Sequence, residues 1–377
     1  MSPFYIICRT YTPNSAGVNR LLSFVKSLSD RGIDTKVLFF SPDTDYSKIN
    51  FSYPHIEFIY KWDKYYIKNS ILKYLSFLLY ILGFVIRLPG KSKILIFGFS
   101  EILPFLLRRR DCDIFYEISE NPEISLTTNR FFASSLNSFL KNSQKLDGLF
   151  VISNALKEYF CSKGVDTSKI HIINMTVDKT RFEGVQKQNG ERYIAYCGTA
   201  SNNKDGVDQL IKSFALISDK YLELKLFIIG KIPSERESFG NKELVNQLGI
   251  SNKVVFTGVV ASTEIPQMLT NAEILALDRP ENIQAKYGFP TKLGEYLLTG
   301  NPVVITRVGD IPLFLKDGVN ALIAEPDCPE SFAGKLDWAL SHKEEVRKIG
   351  LAGKQVALQS FDAAIETEKI ISIIGLI

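Results

Sequence analysis

The feature that most constrains this fold is an alternation of short apolar segments with longer amphipathic ones. It starts with "FYIICRTY", which is apolar and rich in β-forming residues, and continues with apolar residues at helical spacing from Val18 to Leu28. Gly32 then ends the helical pattern, and "TKVLFFS" follows as a second strand. A strand, a helix and a strand in this order predict a parallel sheet with a right-handed crossover, and therefore an α/β fold.

The alternation stops near the middle of the chain and then restarts. A polar, turn-rich stretch, "VDKTRFEGVQKQNGER", separates two strand-and-helix arrays of comparable size. The 377 residues also exceed the length at which one hydrophobic core stops growing. We therefore expect two Rossmann-like, doubly wound domains over residues 1–180 and 190–360. Apolar residues at helical spacing predict a final helix within residues 361–377.

Composition excludes several classes of protein. Hydrophobic residues make up 45% and charged residues 23% of the chain, which is typical of a globular protein. A formal net charge of +4 is too small to indicate nucleic-acid binding. The five cysteines are scattered without a CxxC pair, which predicts neither a disulfide framework nor a zinc site. With no signal-peptide pattern either, we expect a cytoplasmic protein.

Two loops are candidates for phosphate binding. Asn14–Gly17 follows the first strand, and its glycine lets backbone amides approach an anion at a helix start, although an ordinary turn explains it equally well. Lys204 lies in the loop that opens the first helix of the second domain and can add a positive charge, although alone it also fits a solvated lysine. Neither domain has GxGxxG with a downstream acid, which disfavours a nicotinamide dehydrogenase.

The segment "YGFPTKLGEYLLTGNPVVIT" is a third candidate. Pro290 lies near a helix start, Thr291 can cap the helix, and Lys292 occupies its first turn. Exposed amides and Lys292 suit a phosphate, and Glu295 can accept hydrogen bonds from ribose hydroxyls. A capped helix carrying an ion pair between Lys292 and Glu295 remains an alternative.

A longer run of motifs is similar to the nucleotide-binding domain of retaining glycosyltransferases of the family 4 type, which have the GT-B fold. The run consists of "DGLFVISNALKEYF", "KIHIINMTVDKTRF", "YIAYCGT", "NKDGVDQLIKSFA", "KLFIIG", "KVVFTGVV", "GFPTKLGEYLLTGNPVVIT" and "GDIPLFLKDGVNALIAEPDCPESFAGKLDWAL". It covers most of residues 147–362, whereas the preceding residues resemble the family more weakly. The "FPTKLGEY" form resembles a subgroup from bacterial surface-polysaccharide assembly.

The resemblance implies roles for individual residues. Lys204 matches the lysine that grips the donor diphosphate, and Glu295 matches the second glutamate of a paired-glutamate motif, which holds the ribose. Val259 and Val260 match the stretch that lies against the base. The positions that match the donor site are Gly17, Gly198, Thr199, Lys204, Val259, Val260, Pro290, Thr291, Lys292 and Glu295.

The chain also departs from the family pattern. Tyr287 replaces the first glutamate of the pair, and Thr199 replaces an arginine. We therefore expect phosphate binding to depend more on Lys204 and Lys292. No histidine follows the relevant strands of the first domain. Instead "YEISENPE" offers Glu117 and Glu120 as candidate catalytic residues that orient the acceptor or handle a proton. Either glutamate also fits a helix N-terminus or a polar loop.

Two further patterns bear on metals and membranes. Asp43–Asp45 and Asp111–Asp113 match DxD, a motif that binds a divalent ion in the other glycosyltransferase fold, but we expect both to be structural. Residues 67–93 predict a helix whose longest apolar run, Tyr74 to Ile86, has basic residues on both sides and is too short to span a bilayer comfortably. Docking on a membrane surface and burial against the first sheet are both compatible with this pattern. The flanking basic residues are Lys64, Lys68, Arg87, Lys91 and Lys93, with Arg108, Arg109 and Arg110 nearby.

The resemblance implies a GT-B architecture in which two domains face a central cleft and the last helix crosses back to the first domain. It implies that a hexose moves, with retention, from a UDP- or GDP-sugar to a glycan or lipid-linked acceptor. No metal or other cofactor is expected. Capsule, O-antigen or exopolysaccharide synthesis at the inner face of the cell membrane is the implied setting. A sugar-nucleotide epimerase and a non-catalytic nucleotide-sugar-binding protein are the alternatives.

Overall fold

A computed structural model of the protein describes residues 3–9, 11, 15–40, 52–60, 70–126, 133–232 and 235–377. The chain divides into two compact units. The first comprises Met1–Asn174 together with Ala363–Ile377, and the second comprises Met175–Asp362. Among the described residues, each unit contains a parallel sheet with helices around it, as the alternating pattern predicts.

The first unit has a seven-stranded sheet in the part of the chain that the structure describes, with the order β3-β2-β1-β4-β5-β6-β7. Its strands are β1 Phe4–Cys8, β2 Thr35–Phe39, β3 Ile56–Tyr60, β4 Lys93–Phe97, β5 Asp113–Ile118, β6 Gly148–Val151 and β7 Ile170–Ile172. In register, Phe4 lies opposite Thr35 on one side and Lys93 on the other. The central strands are almost wholly buried, because helices cover both faces of such a sheet.

The second unit has a six-stranded sheet within its described residues, with the order β10-β9-β8-β11-β12-β13. Its strands are β8 Arg192–Cys197, β9 Leu224–Ile229, β10 Val254–Gly258, β11 Ile274–Leu277, β12 Val303–Thr306 and β13 Leu322–Ala324. Chain order runs outward in one direction from β8 and in the other from β11. Ligands of doubly wound sheets bind at the carboxyl ends of the strands where the order reverses. The loops after β8 and β11 are therefore the expected site.

Helices connect most of these strands. Over the described residues they are α1 Ala16–Asp30, α2 Ser70–Arg87, α3 Leu103–Leu106, α4 Pro122–Leu126, α5 Ala133–Ser143, α6 Asn154–Ser162, α7 Asn202–Asp205, α8 Val207–Ser218, α9 Glu235–Gln247, α10 Ile265–Asn271, α11 Ile283–Tyr287, α12 Lys292–Leu298, α13 Ile311–Phe314, α14 Pro329–Ser341, α15 Lys343–Ser360 and α16 Ala363–Ile374. Short 3-10 turns lie at Ser100–Ile102, Thr167–Lys169 and Lys179–Phe182.

Helix α1 shows how the sequence pattern becomes packing. The Ser15 side chain accepts a hydrogen bond from the Val18 amide and caps the helix start, and Gly32, at φ +68°, follows its end. The apolar face of α1 is buried in one core with residues of α16, among them Ile370 and Ile374. The last helix of the chain is thus part of the first unit.

Helix α2 is apolar on two faces. Ile81 and Val85 are buried, whereas Leu79 and Ile86 are each 69% exposed. Arg109 donates to the carbonyl oxygens of Val85 and Leu88, and so provides hydrogen-bond donors for carbonyl groups at the end of the helix. Among the helices the structure describes, none is long and apolar enough to cross a membrane.

Candidate functional site

The candidate site of the second unit lies where β8 and β11 end. Gly198 follows β8, and the Lys292 ammonium at the start of α12 lies so close that a side-chain Cβ at Gly198 would be 2.6 Å from its Nζ. Arg279 follows β11 and donates from Nε to the Lys204 carbonyl oxygen at 3.3 Å. The topology therefore brings together residues from four separate segments at the end of the sheet where ligands bind.

Lys292 is held by a buried carboxylate rather than by Glu295. Its Nζ donates to Asp205 Oδ2 and, at 3.1 Å, to the Tyr196 hydroxyl, over whose ring it also lies. Asp205 is only 3% exposed, and Arg279 Nε lies 3.8 Å from its other oxygen. Burial lowers the pKa of Lys292, while Asp205 opposes that effect. The alternative of an ion pair between Lys292 and Glu295 is thus not realised.

Two glycines permit this close packing. Gly198 has φ +154°, and its Cα faces the lysine ammonium described above. Gly206 has φ +61° and links α7 to α8, and an added Cβ would lie 1.8 Å from the Asp278 carbonyl oxygen. A larger residue at either position would displace backbone or a charged side chain of the site.

Glu295 points to a different cation. Arg181 Nη1 donates to Glu295 Oε1, and Arg181 Nη2 donates to the Ser262 carbonyl oxygen at 3.0 Å. Burial raises the pKa of Glu295, and the arginine opposes this by favouring the carboxylate. Both Glu295 and Lys292 influence the half-buried Cys197 thiol at the end of β8, and desolvation raises the pKa of this thiol to about 12. Lys292 and Glu295 therefore face the same strand end.

The remaining predicted donor residues surround this group. Thr291 occupies the helix start, but its side chain makes no capping hydrogen bond, so the predicted Thr291 cap is wrong; its backbone is already helical. Pro290 is buried, Lys204 and Thr199 are exposed, and Val259 after β10 is 74% exposed with Val260 beside it. Nothing in the structure tests the roles of these residues, which stay predictions.

The sequence interpretation missed Asp205, Tyr196, Arg279 and Arg181. Asp205 directly follows Lys204 in "NKDG", but a single aspartate carries no signal of burial. Arg181 lies in the polar, turn-rich stretch between the two strand-and-helix arrays, where the structure has a 3-10 turn. Each of these four side chains is held in the candidate site by a partner that is distant in the sequence.

Asp278 is a buried carboxyl beside this group. It is 1% exposed, and its Oδ2 accepts from the Ser213 hydroxyl at 3.2 Å, whereas Oδ1 has no hydrogen-bond partner among the described residues. Burial raises the pKa of Asp278 to about 7, and the hydrogen bond from Ser213 opposes the rise. The neutral acid is thus favoured in the folded protein over much of the pH range in which an exposed aspartate is ionised.

Asp278→Asn is expected to flatten the pH dependence of stability. The folded chain retains a proton on Asp278 that the unfolded chain has lost, so stability falls as pH rises from about 4 to about 7. This contribution is on the order of a few kcal/mol by pH 8. The amide variant should therefore gain stability over the native chain between pH 5 and pH 8, by amounts of roughly this order. Urea unfolding of both proteins across this range measures the difference, and parallel curves would contradict the expectation.

The candidate catalytic glutamates of the first unit have different surroundings. Glu117, at the end of β5, is 5% exposed and accepts from Arg20 Nε at 2.8 Å. Arg20 also donates to the carbonyl oxygens of Ile173 and Asn174. Burial raises the pKa of Glu117, and Arg20 opposes the rise. Such a buried pair holds α1, β5 and the segment after β7 together.

The structure places Glu120 and Gly17 at the surface of the first unit. Gly17 lies in the first turn of α1, and no described residue lies within 4 Å of a Cβ added there. Asn14 lies outside the described residues. The catalytic roles of Glu117 and Glu120 and the phosphate contact of Gly17 stay predictions.

The DxD patterns do not form a metal cluster in the residues that the structure describes, where no group of three or more potential ligands is found. Arg109 holds Asp111 through a side-chain hydrogen bond at 2.9 Å, which lowers the pKa of this carboxyl to about 2. Asp113 opens β5 and is exposed. Asp43–Asp45, like Lys64 and Lys68, lies outside the described residues.

The second unit of the chain is similar in sequence to a known protein family. Residues 177–356 match the family model of group 1 glycosyl transferases. An uncharacterized glycosyltransferase of Methanocaldococcus jannaschii is 25% identical over 207 residues, which are 51% of this chain and 50% of the relative. Mannosylfructose-phosphate synthase of Agrobacterium fabrum is 25% identical over 214 residues, or 52% and 46%. The chain spans about half the length of the curated relatives it matches.

Comparison with solved structures extends over the whole chain. HepE of Anabaena, in a complex with UDP, aligns over 100% of both chains with a TM-score of 0.76 and 17% identity. Sucrose-phosphate synthase of Thermosynechococcus elongatus aligns over 99% of this chain and 98% of its own, with a TM-score of 0.73 and 13% identity. At such identities the likeness shows the fold, which is GT-B with two Rossmann-like domains.

Proposed function

We propose that this chain, whose second unit belongs to the group 1 glycosyl transferases and whose fold is GT-B, transfers a sugar from a UDP- or GDP-sugar to an acceptor. The observation that supports the proposal is that the Lys292 side chain, the Glu295 side chain and the backbone of Lys204 lie near the carboxyl ends of β8 and β11. That end of a doubly wound sheet is where nucleotides bind.

The charges of this site suit a nucleoside diphosphate. In the described part of the second unit, the cationic side chains of Lys292, Arg279 and Arg181 lie there with the carboxylates of Asp205 and Glu295. The backbone of Lys204 contacts Arg279. Asp205 already neutralises part of this positive charge through its buried contacts with Lys292 and Arg279. We expect the exposed side chain of Lys204 to contact a diphosphate that enters from solvent.

The proposed chemistry is positioning and electrostatic stabilisation. As the bond between sugar and diphosphate breaks, negative charge grows on the departing phosphate oxygens. Lys204, Lys292 and backbone amides at the start of α12 would stabilise that charge, and Glu295 would orient the ribose through its hydroxyls. We propose transfer with retention of anomeric configuration and without a metal or a covalent enzyme nucleophile.

The acceptor and the setting are further parts of the proposal. We propose a glycan or lipid-linked acceptor bound by the first unit, and a role in surface-polysaccharide synthesis at the inner face of the cell membrane. The resemblance of "FPTKLGEY" to the surface-polysaccharide subgroup supports this role. Because HepE of Anabaena was crystallised with UDP and with UDP-glucose, UDP is the first nucleotide to test here.

Helix α2 is the proposed membrane contact. Leu79, Leu82 and Ile86 are exposed along one side of it, and Arg87 and Lys91 are exposed at its end. Apolar side chains that insert between lipid headgroups, flanked by cations, suit an anionic membrane surface.

Replacing Leu79, Leu82 and Ile86 together by serine is expected to weaken binding to vesicles that contain anionic phosphatidylglycerol by about tenfold or more, because each apolar side chain contributes on the order of 1 kcal/mol when partly buried. Co-flotation with the vesicles measures binding. Leu222→Ser, which changes a 75% exposed leucine of the second unit, is the control and should leave binding unchanged. Equal flotation of the triple variant would remove α2 from the proposal.

Thermal-shift titration with UDP, GDP, ADP and their sugars tests the donor assignment, because a ligand that binds the folded state raises Tm. Assays with and without acceptor extracts, in buffer and in EDTA, then test the reaction. Sugar transfer that survives EDTA supports the proposal. Conversion of the donor sugar without an acceptor would instead indicate an epimerase, and nucleotide binding without turnover a binding protein. Absence of any nucleotide binding would overturn the donor site.

A further inference from the structure

We propose that Arg181 is a positioning residue that holds Glu295 in the orientation and ionisation state that ribose binding requires. This inference rests on the donor site proposed above. Arg181 donates through Nη1 to Glu295 Oε1 and through Nη2 to the Ser262 carbonyl oxygen at 3.0 Å. One guanidinium thereby joins the start of α12 to the loop that follows β10.

The turn that carries Arg181 is itself anchored on several sides. Asp178 Oδ1 accepts from the amide and the hydroxyl of Thr180, at 3.0 and 2.6 Å. Lys179 Nζ donates to Asp362 Oδ2 at 2.7 Å, and the Val177 amide donates to the Phe361 carbonyl oxygen at 2.8 Å. Since Arg181 projects from a braced 3-10 turn, its guanidinium has a defined position relative to α12.

Glu295 needs such a partner because of its surroundings. Its side chain is 21% exposed, and the neighbouring titratable groups are the Cys197 thiol from β8 and the Tyr296 hydroxyl from its own helix. Lys292, one turn earlier, is already bonded to Asp205. Arg181 therefore supplies the direct cationic hydrogen bond to Glu295.

The ionised form matters for recognising a sugar hydroxyl pair. A carboxylate offers two acceptor oxygens, whereas the neutral acid converts one of them into a donor. With Oε1 bonded to Arg181, Oε2 and the remaining lone pairs can accept from the vicinal hydroxyls of a ribose. Loss of the cation would let burial favour the neutral acid and would also free the side chain to rotate.

The test compares nucleotides that differ only in the ribose hydroxyls. UDP and GDP are titrated into the native chain by calorimetry, and the one that binds is compared with its 2′,3′-dideoxy form. We expect the native chain to prefer the hydroxylated nucleotide by roughly tenfold to a hundredfold. Arg181→Met should reduce that preference to about threefold or less, with partial recovery as the pH is raised and the glutamate ionises.

Controls separate positioning from general loss of structure. Arg192→Met removes the arginine of another Arg–Glu pair in the same unit, with Glu273, at the opposite end of β8, and should keep the full preference. In a Glu295→Gln background, adding Arg181→Met should change the preference no further, because the two residues act as one unit. If Arg181→Met fails to fold, Arg181→Gln, which keeps a donor for the Ser262 carbonyl oxygen without the charge, carries the same expectation.

An unchanged preference in Arg181→Met or Arg181→Gln would overturn the role of Arg181 while leaving the donor site intact. So would a native chain that binds the hydroxylated and dideoxy nucleotides equally. Failure of the native chain to bind either UDP or GDP would overturn the donor site itself, and the role of Arg181 with it.

Discussion

Glu295→Ala is expected to lower kcat/KM for the nucleotide-sugar donor by about 100-fold or more, because it removes charge-assisted hydrogen bonds that each contribute roughly 1.5–3 kcal/mol. The loss should appear mainly in donor KM, since ribose contacts form in the ground state as well as in the transition state. Steady-state kinetics with saturating acceptor measure it.

Lys204→Ala is expected to act on kcat instead, with a loss on the order of 100-fold, because the lysine stabilises charge that develops as the diphosphate departs. Lys204 is exposed, so its removal should leave Tm within a few degrees of the native value. Near-normal kcat/KM for the donor in both variants would reject the donor site.

Matched substitutions show whether the losses belong to the site. Lys212→Ala changes a lysine of α8 that pairs with Asp208 on its own helix. Glu273→Gln changes a glutamate paired with Arg192 at the amino end of β8. Both should retain most of the native turnover. A comparable loss in either control would mean that activity in this unit is sensitive to charge in general.

Gly206→Ala is expected to destabilise the second unit by more than about 3 kcal/mol, through strain of the left-handed backbone and a steric clash together. At φ +61° an L-residue is strained, and the added Cβ would lie 1.8 Å from the Asp278 carbonyl oxygen. That atom is backbone, so relief requires α8 or the end of β11 to move. Urea unfolding followed by circular dichroism measures the change.

Gly249→Ala separates the two contributions to this loss. Gly249 has φ +70°, and nothing lies within 4 Å of its added Cβ, so this variant reports backbone strain alone, about 1 kcal/mol. The clash at Gly206 should also displace Asp278 and Arg279 and weaken nucleotide binding. Equal destabilisation by the two substitutions would show that the backbone around Asp278 shifts to relieve the clash at little cost in free energy.

The fold was largely predictable because its signals are local. The apolar segments of β1, β4 and β8 are buried strands, and the amphipathic face of α1 is buried as its spacing predicts. Alternation of such segments leaves few topologies other than parallel sheets with crossovers. The segment around Thr291 also begins a helix, although the residue does not cap it.

The partners within the candidate site were not predictable from local pattern. Lys292 pairs with Asp205 across 87 residues of sequence, and Arg181 pairs with Glu295 across 114. Arg20 similarly reaches Glu117 across 97 residues and gives a candidate catalytic residue a buried cation. Helical spacing instead offered the neighbouring Lys292 and Glu295 as a pair, which the structure does not contain.

The sequence by itself determined two α/β units, the order of their strands along the chain, and the segments whose glycines, lysines and glutamate suit a nucleotide. Hydrophobic periodicity carries that information because burial acts on each segment separately. Only the tertiary structure decided which charges meet, which carboxyls are buried, and which cation holds Glu295. Those outcomes depend on how distant segments are placed relative to one another. Hydrogen bonds and ion pairs act over only a few ångströms, so the chain must fold before these partners can meet.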